Sequence, residues 1–497
     1  MLKKYILALD QGTTSCRAIL FDKQARAIAM KQKEITQVYP KPGWVEHDPL
    51  EIYETQIDVA RALLSEKKIT PSEIETIGLT NQRETTILWD KRNGKPVCNA
   101  IVWQDTRTNE TCQRLKKSEF NEYINDVTGL VIDSYFSATK IKWILENIQG
   151  VREEADKGNI LFGTVDTWLL WKLTSGKSHY TDYSNASRTM LFNILNLEWD
   201  KKILEILKIP EQILPEVKPS SFNFGLTTDE FFEVPLTITG IAGDQQAALF
   251  GQACFDEGML KNTYGTGCFM LMNTGHNAIR SNHGLLTTIA WGQDDKVEYA
   301  LEGSVFIAGA AIQWLRDNMK MIKHASETDA IASSIEDTKG VYFVPAFTGL
   351  GTPYWDMNAC GALMGLQRDT SFAEITRAVL ESIAYQTKDV IESMKEDSGI
   401  EIKILKVDGG AAANEFLMQF QSDILNIEIE RPHEIESTAQ GAAFLAGIFT
   451  GFWTKEQLKN LEKKKKIFKP EMSESIRNDL YKGWKKAVGR VMNWHDE

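Results

Sequence analysis

Three times in this chain a run of strand-forming residues stops at a carboxylate or threonine beside glycine, and that recurrence restricts the folds open to it. The first is Tyr5-Ile-Leu-Ala-Leu-Asp-Gln-Gly-Thr-Thr-Ser15, with a second strand predicted from Cys16 to Phe21. Gly12 permits a tight turn between them. The second runs from Gly258 to Met272, a strand, a Gly-Thr-Gly tip at Thr266 and another strand. The third is Ile404-Leu-Lys-Val-Asp408, which ends in Gly409-Gly410 and starts a helix. Such tips expose backbone N–H groups and hydroxyls that make a nest for anionic oxygen. A carboxylate at a strand end, such as Asp10, can hold a hard cation such as Mg²⁺. Arg17 lies within reach of a phosphate. The first tip is also compatible with an ordinary turn carrying a solvated Asp. Two such hairpins far apart predict a duplicated domain that grips a nucleotide between its halves. No 20 to 50 residue repeat accompanies them, which argues against a solenoid.

Between the tips, strands that stop at polar clusters alternate with helices, the pattern of an α/β fold with its site at one sheet edge. Pro49 to about Ser65 has helical apolar spacing. Ile74 to Leu79 ends at Thr80-Asn-Gln-Arg-Glu-Thr85, and Ala100 to Trp103 ends at Gln104-Asp-Thr-Arg107. Leu236 to Gln246 runs into glycines and Asp244, with a helix through Phe250. Residues 108–235 read as helix-rich elaboration, with Leu161 to Trp171 as core and Lys218 to Pro235 exposed. The resulting division is 1–251, 252–450 and a helical tail, 451–497. In the tail Ile476, Leu480, Trp484, Val488 and Val491 form one apolar stripe, and Lys463 to Lys466 read as a solvated face.

Composition excludes several classes. A net charge of −12 argues against general nucleic-acid binding. Six cysteines without a C-x-x-C pair point to reduced thiols in the cytoplasm, not to disulfides or zinc. The opening Met-Leu-Lys-Lys-Tyr lacks the apolar stretch of a secretion signal, and no apolar run is long enough to span a membrane. The glycine-rich phosphate loop ending in Gly-Lys-Ser/Thr is missing, since Gly176-Lys-Ser178 has no upstream glycine at the required spacing. The protein-kinase set and the H-E-x-x-H zinc signature are absent as well.

The combination of Asp10-Gln-Gly-Thr-Thr-Ser15, Asn81-Gln-Arg-Glu-Thr85, Asp133-Ser-Tyr-Phe-Ser137, Gly243-Asp-Gln-Gln246, Tyr264-Gly-Thr-Gly-Cys-Phe269 and Val407-Asp-Gly-Gly410 closely resembles the FGGY carbohydrate kinase family. The likeness runs from about Lys4 to Trp453. The first hairpin and Val407-Asp-Gly-Gly410 are shared across sugar kinases, whereas Arg83-Glu84, Trp103, Tyr135 and Asp244-Gln245 resemble the glycerol-phosphorylating members. The resemblance implies two domains of the actin-like, ribonuclease-H-like ATPase fold closing over ATP and a polyol. It implies transfer from ATP to glycerol, giving ADP and sn-glycerol 3-phosphate. By the same resemblance Thr13, Thr14, Ser15 and Arg17 meet the phosphates and Asp10 positions Mg²⁺. Thr266 touches the phosphates from the other half, Gly309 and Gln313 lie near the nucleotide, and Gly410 and Asn414 hold the adenosine end. Arg83, Glu84, Tyr135 and Gln245 offer hydrogen bonds to the triol, Trp103 and Phe269 cover its carbons, and Asp244 is the general base.

Blander roles stay open for several of these residues. Arg83 and Glu84 are adjacent and on a strand would face opposite ways as surface charges. Trp103 can be core, Tyr135 a structural hydroxyl, Asp244 a helix N-cap, and Gly309 and Gln313 helix packing. The competing functions are a kinase of another small polyol or ketose, and a nucleotide switch on the actin-like fold. Ser134 replaces the proline found in many relatives, which predicts a looser loop under Tyr135. The segment from Lys218 to Pro235 lacks both the Gly-Gly-Thr-Arg type loop and any histidine, so neither fructose 1,6-bisphosphate control nor histidine phosphorylation is carried over. Family habit suggests a homodimer or homotetramer.

Overall fold

The computed structural model describes residues 3–432, 436–461 and 464–495. Its spine is a 13-stranded sheet. In chain order the strands are β1 (Tyr5–Gln11), β2 (Ser15–Asp22), β3 (Ala27–Glu34), β4 (Ile74–Asn81), β5 (Ser221–Leu226), β6 (Thr237–Gly243), β7 (Leu260–Tyr264), β8 (Cys268–Asn273), β9 (Leu286–Gln293), β10 (Lys296–Val305), β11 (Ile404–Asp408), β12 (Glu428–Pro432) and β13 (Lys465–Phe468). Their spatial order is β13-β12-β11-β7-β8-β10-β9-β5-β6-β4-β1-β2-β3.

The same pairing scheme occurs twice. β1 pairs antiparallel with β2 and β2 with β3, while β4 and β6 add on in parallel beside β1. In the second half β7 pairs antiparallel with β8 and β8 with β10, while β11 and β12 add on in parallel beside β7. The halves join through the single register pair Ser221↔Gln293. β1, β4 and β6 are almost wholly buried and read as near-continuous apolar runs, as strands covered on both faces do.

Register places the chemistry. Asp10 lies opposite Thr80, and Thr80 opposite Ala242; one step on, Gln11, Asn81 and Gly243 are aligned. The residues that leave these three strands therefore emerge together at one edge, Arg83 and Asp244 among them. In the second half Thr263 pairs with Asp408, which brings the second and third tips together.

The helices used below are α1 (Pro49–Lys67), α2 (Ser137–Asn147), α3 (Asp244–Gly251), α4 (Gly309–Asp317), α5 (Phe372–Ser398), α6 (Glu415–Leu425), α7 (Ser437–Phe449) and α8 (Glu474–Val488). Asp48 caps α1 through the Leu50 N–H, with Pro49 at its first turn. A Ser371/Glu374 capping box opens the 27-residue α5 at the centre of the second half's core. α7, although late in the chain, returns to the first half and packs on β4, β6 and α3. Its approach to α3 needs glycine: a Cβ on Gly441 would stand 1.8 Å from the Ala247 carbonyl oxygen, and one on Gly251 2.0 Å from that of Ser437. Gly441→Val is expected to cost about 1–3 kcal/mol or more through overpacking. A lowered midpoint of urea unfolding checks this.

Two readings differ from the structure, while the solvated lysine face holds for Lys464 to Lys466, which are exposed. The segment from Lys218 to Pro235 is not simply exposed: it supplies β5 to the sheet and buries Phe224 and Phe232. Its turn-rich composition hides a strand because β5 is short and carries Gly225. On α8 the predicted stripe holds for Trp484 and Val488, and Val491 just beyond is buried, but Ile476 at the first turn is exposed. Of the lysine run, Lys463 lies outside the described residues. Lys465 pairs with Glu430 at 2.8 Å on the edge strand β13, where lysine discourages further strand addition.

Candidate active site

The first tip closes by a hydrogen bond from the Gly12 N–H to the Ser15 carbonyl, 2.9 Å, and Gly12 turns without a left-handed φ. Thr14 is exposed and Thr13 half-buried, whereas Ser15 is buried and its Oγ accepts from Gln32. Arg17 sits 3.8 Å from Asp10 and 3.1 Å from Glu436, so two carboxylates hold its guanidinium. Asp10 is buried at the end of β1. Burial pushes its carboxyl up to about 7, with Glu436 and Asp244 adding to the rise and Arg17 opposing it. A buried carboxylate short of positive charge is a fitting donor for a hard cation. Among the described residues no cluster of three or more His, Cys, Asp or Glu side chains could cage a metal. The donor set therefore suits an ion such as Mg²⁺ that keeps water and substrate phosphates as its other ligands.

Several residues expected at the acceptor meet in a buried charged lattice. Glu84 has φ +62°, a left-handed conformation uncommon for a residue other than glycine, here within a buried turn. That turn brings Glu84 inward beside Arg83, and both are at most 2% exposed. Arg83 makes a two-pronged contact with Glu302 of β10, at 2.6 and 3.0 Å. Its Nη1 also donates to Gln246 at 3.1 Å, its Nη2 reaches the Tyr135 hydroxyl at 3.5 Å, and its Nε lies 3.3 Å from Asp244 Oδ1. Arg188 spans the far side, donating to Glu84 at 2.7 Å and Glu302 at 3.1 Å. Burial opposes ionisation of Glu302, but Arg188 and Arg83 overcome it and hold the carboxyl down at about 2. Burial also opposes the charge of Arg83, which Glu302 and Glu84 more than offset. Glu84 goes the other way, pushed up by burial against the pull of Arg83 and Arg188.

Asp244 is the first residue of α3, and Gly243 occupies the N-cap position, so the capping role does not fall to Asp244. Its Oδ1 accepts from the Gln245 N–H at 2.7 Å and lies 3.3 Å from Arg83 Nε, and the side chain is about one third exposed. Trp103 links the first tip to the charged lattice. Its indole N–H donates to Thr13 Oγ1 at 3.0 Å on the first tip, and its ring lies edge-on to Tyr135 and Phe269 at 5.5 and 6.5 Å. Phe269 comes from β8, so this contact crosses between the halves. Alongside opens a mainly apolar cavity of about 560 Å³, walled by Trp103, Tyr135, Phe269, Phe306 and Trp355.

The loop under Tyr135 is not loose despite Ser134. Lys140, buried in the first turn of α2, donates to the Ser134 and Tyr135 carbonyls at 2.5 and 2.7 Å. Burial lowers its pKa to about 8, and the carbonyl dipoles take its charge.

The second half gathers most of the predicted nucleotide residues. Thr266 is exposed at its tip, and its carbonyl accepts from the Ala308 and Ala310 N–H groups at the start of α4. A Cβ on Gly309 would meet the Gly265 carbonyl at 2.5 Å, and one on Gly409 the Tyr264 carbonyl at 2.5 Å, so both chain segments press on this tip. Gly410 faces open space. Asn414 spends its side chain locally: Oδ1 caps α6 through the Leu417 N–H and Nδ2 donates to Thr328. Gln313 is exposed on α4, one turn beyond Gly309.

Sequence reading missed Glu302, Arg188, Lys261 and Glu436. The available signal was charge inside runs that otherwise read as buried strand: Glu302 between Leu301 and Gly303, and Lys261 beside Leu260.

Residues 5–251 match the model of the N-terminal domain of the FGGY family of carbohydrate kinases, and residues 260–449 that of its C-terminal domain. The chain is 61% identical over 497 residues to the glycerol kinase of Thermoanaerobacter sp. (strain X514), covering 100% of each. Over 492 residues, 99% of each, it is 59% identical to glycerol kinase 2 of Thermotoga maritima. The crystal structure of Plasmodium falciparum glycerol kinase with ADP superimposes with a TM-score of 0.93 at 40% identity, over 98% of both chains. A gluconate kinase from Lactobacillus acidophilus, 22% identical with a TM-score of 0.87 over 98% of this chain and 97% of its own, supports the fold alone.

Proposed function

This chain belongs to the FGGY family of carbohydrate kinases, and we infer that it transfers the terminal phosphoryl group of ATP to glycerol, releasing ADP and sn-glycerol 3-phosphate. Its architecture is the two-domain actin-like ATPase fold. The observation that carries the reading is the buried lattice of Arg83, Glu84, Tyr135 and Asp244 beneath Trp103 and Phe269, a polar floor under an aromatic cover. A nucleotide switch has no use for such a floor, whereas a triol needs both.

Phosphoryl transfer asks for positioning and for compensation of negative charge. In this reading Thr13, Thr14, Ser15 and Arg17 meet the phosphates from residues 1–251, and Thr266, Gly309, Gln313, Gly410 and Asn414 hold the nucleotide from residues 252–450. Asn414 can contribute only shape and backbone, since its side chain caps α6. Residues 451–497 form the tail. Asp10 would hold Mg²⁺, which when bound draws charge from the phosphate oxygens. Arg83, Glu84, Tyr135 and Gln245 orient the triol, Trp103 and Phe269 exclude water, and Asp244 Oδ2 takes the proton of the attacking hydroxyl. No helix among the described residues is long and apolar enough to cross a membrane. The six cysteines are free thiols, in keeping with a cytoplasmic site of action. A homodimer or homotetramer is proposed, and sedimentation tests it.

A coupled assay of ADP release with glycerol, dihydroxyacetone, erythritol and a pentulose tests the function. Release that depends on glycerol and is highest with it supports the reading. Equal release without any acceptor, or a clear preference for the pentulose, contradicts it.

A further inference from the structure

Lys261 is fully buried on β7, the strand that runs into the second tip, and it faces the acceptor site from the opposite half. Its ammonium donates to Gln245 Oε1, to Thr263 Oγ1 at 3.0 Å and to the Phe269 carbonyl at 3.2 Å. Three N–H donors thus meet three acceptors. The partner at Gln245 fixes that amide's orientation. Turned the other way, the Gln245 –NH₂ would point its donors at an ammonium that has nothing to accept with. With Oε1 held, the –NH₂ group is what Gln245 has left to offer the cleft. The adjacent residue is Asp244, whose Oδ1 accepts from the Gln245 backbone N–H.

We propose that Lys261 is a positioning residue of the acceptor site: by holding Gln245 Oε1 across the boundary between the halves, it makes Gln245 an obligate hydrogen-bond donor to an acceptor hydroxyl oxygen. The inference rests on the assignment of Gln245 to the glycerol site. It has a consequence for specificity. A site with a fixed donor selects a lone pair at that point of the substrate and disfavours an acceptor bearing a hydrogen or methyl group there.

The charges around Lys261 are Asp408 on β11, Asp244 on α3 and Glu302 on β10, which favour its ammonium, and Arg83 beyond β4, which opposes it. The nearby thiols of Cys254 and Cys268 are pushed up by burial and stay neutral. Burial outweighs the favourable partners and brings the Lys261 pKa down to about 8, so the ammonium is present below that pH and is lost above it.

Two variants test the proposal by steady-state kinetics. Lys261→Met removes the ammonium while retaining an unbranched chain. It is expected to raise the KM for glycerol roughly tenfold, as for one lost hydrogen bond, with the KM for ATP little changed. In the wild type the glycerol KM should climb above pH about 8; in Lys261→Met that limb should be absent. Gln245→Glu keeps an oxygen for Lys261 to hold but removes the –NH₂ donor, and should raise the glycerol KM similarly even if Lys261→Met folds poorly. A glycerol KM unmoved in Gln245→Glu, or ATP and glycerol KM values rising together in Lys261→Met, overturns the proposal. Absence of glycerol-dependent ADP release by the wild type would instead overturn the assignment of function.

Discussion

Asp244→Asn is expected to lower kcat by about 10²–10⁴-fold, the range for removal of a general base, while leaving the KM for glycerol within a few-fold. The geometry makes this substitution clean. Asn keeps the Oδ1 that accepts from the Gln245 N–H at 2.7 Å, so the start of α3 retains its local bond. Arg83 loses a charged neighbour at 3.3 Å but keeps Glu302 at 2.6 Å, so the floor under the triol stays in place. What disappears is an oxygen able to take a proton. The first turn of α3 also loses a negative charge, which costs about 0.3–1 kcal/mol of helix stability and no more. Steady-state kinetics give kcat, and glycerol binding by calorimetry separates binding from chemistry. Turnover within a few-fold of the wild type would reject Asp244 as the base.

Glu302→Gln should have the largest effect on stability of any single change in the site, about 3–5 kcal/mol, because it leaves two buried guanidinium groups short of a counter-charge. Arg83 and Arg188 both lean on this one carboxylate. An amide in its place can accept at one oxygen only and turns an –NH₂ group toward a donor. The glycerol KM should rise as Arg83 is released, with the ATP KM much less affected. The wild type should also show an acid limb that the variant lacks. The Glu302 carboxyl is held down to about 2 from an ordinary 4.5. A depressed carboxyl contributes stability fully above the ordinary value and loses it as pH falls from about 4.5 toward 2. Urea unfolding at pH 7 and at about pH 3, inside that window, reads both effects; equal stability of variant and wild type at pH 7 would reject the lattice as described. Arg83→Ala is the less specific experiment: it too should weaken glycerol binding, but it leaves Glu302 and Glu84 buried with Arg188 as their remaining arginine.

The two tips, the strand-end Asp10 and the strand-to-helix turn at Asp244 were legible in the sequence because each is local: glycine, threonine and a carboxylate within a few residues declare the turn by themselves. The duplicated sheet followed from the same signal seen twice. The charged lattice was not legible. Glu302 lies 219 residues from Arg83, and only the register of β10 against the rest of the sheet brings them together. The resemblance put Glu84 beside Arg83 at the triol, but strand alternation alone would point the two opposite ways; the left-handed backbone of Glu84 that turns both inward has no local sequence signal. Lys261 and Lys140 gain their roles only from acceptors brought near by the fold: Gln245 across the halves, and the Ser134 and Tyr135 carbonyls. Ser134 suggested a loose loop because the clamp on it, Lys140, sits six residues away on the next helix.

The most direct test is to follow the purified chain with ATP, Mg²⁺ and glycerol by phosphorus NMR. The expected result is sn-glycerol 3-phosphate and ADP appearing in equal amounts, with no inorganic phosphate. ADP accompanied by free phosphate, with no phosphate ester of glycerol, would contradict a site built to pass the phosphoryl group to a triol.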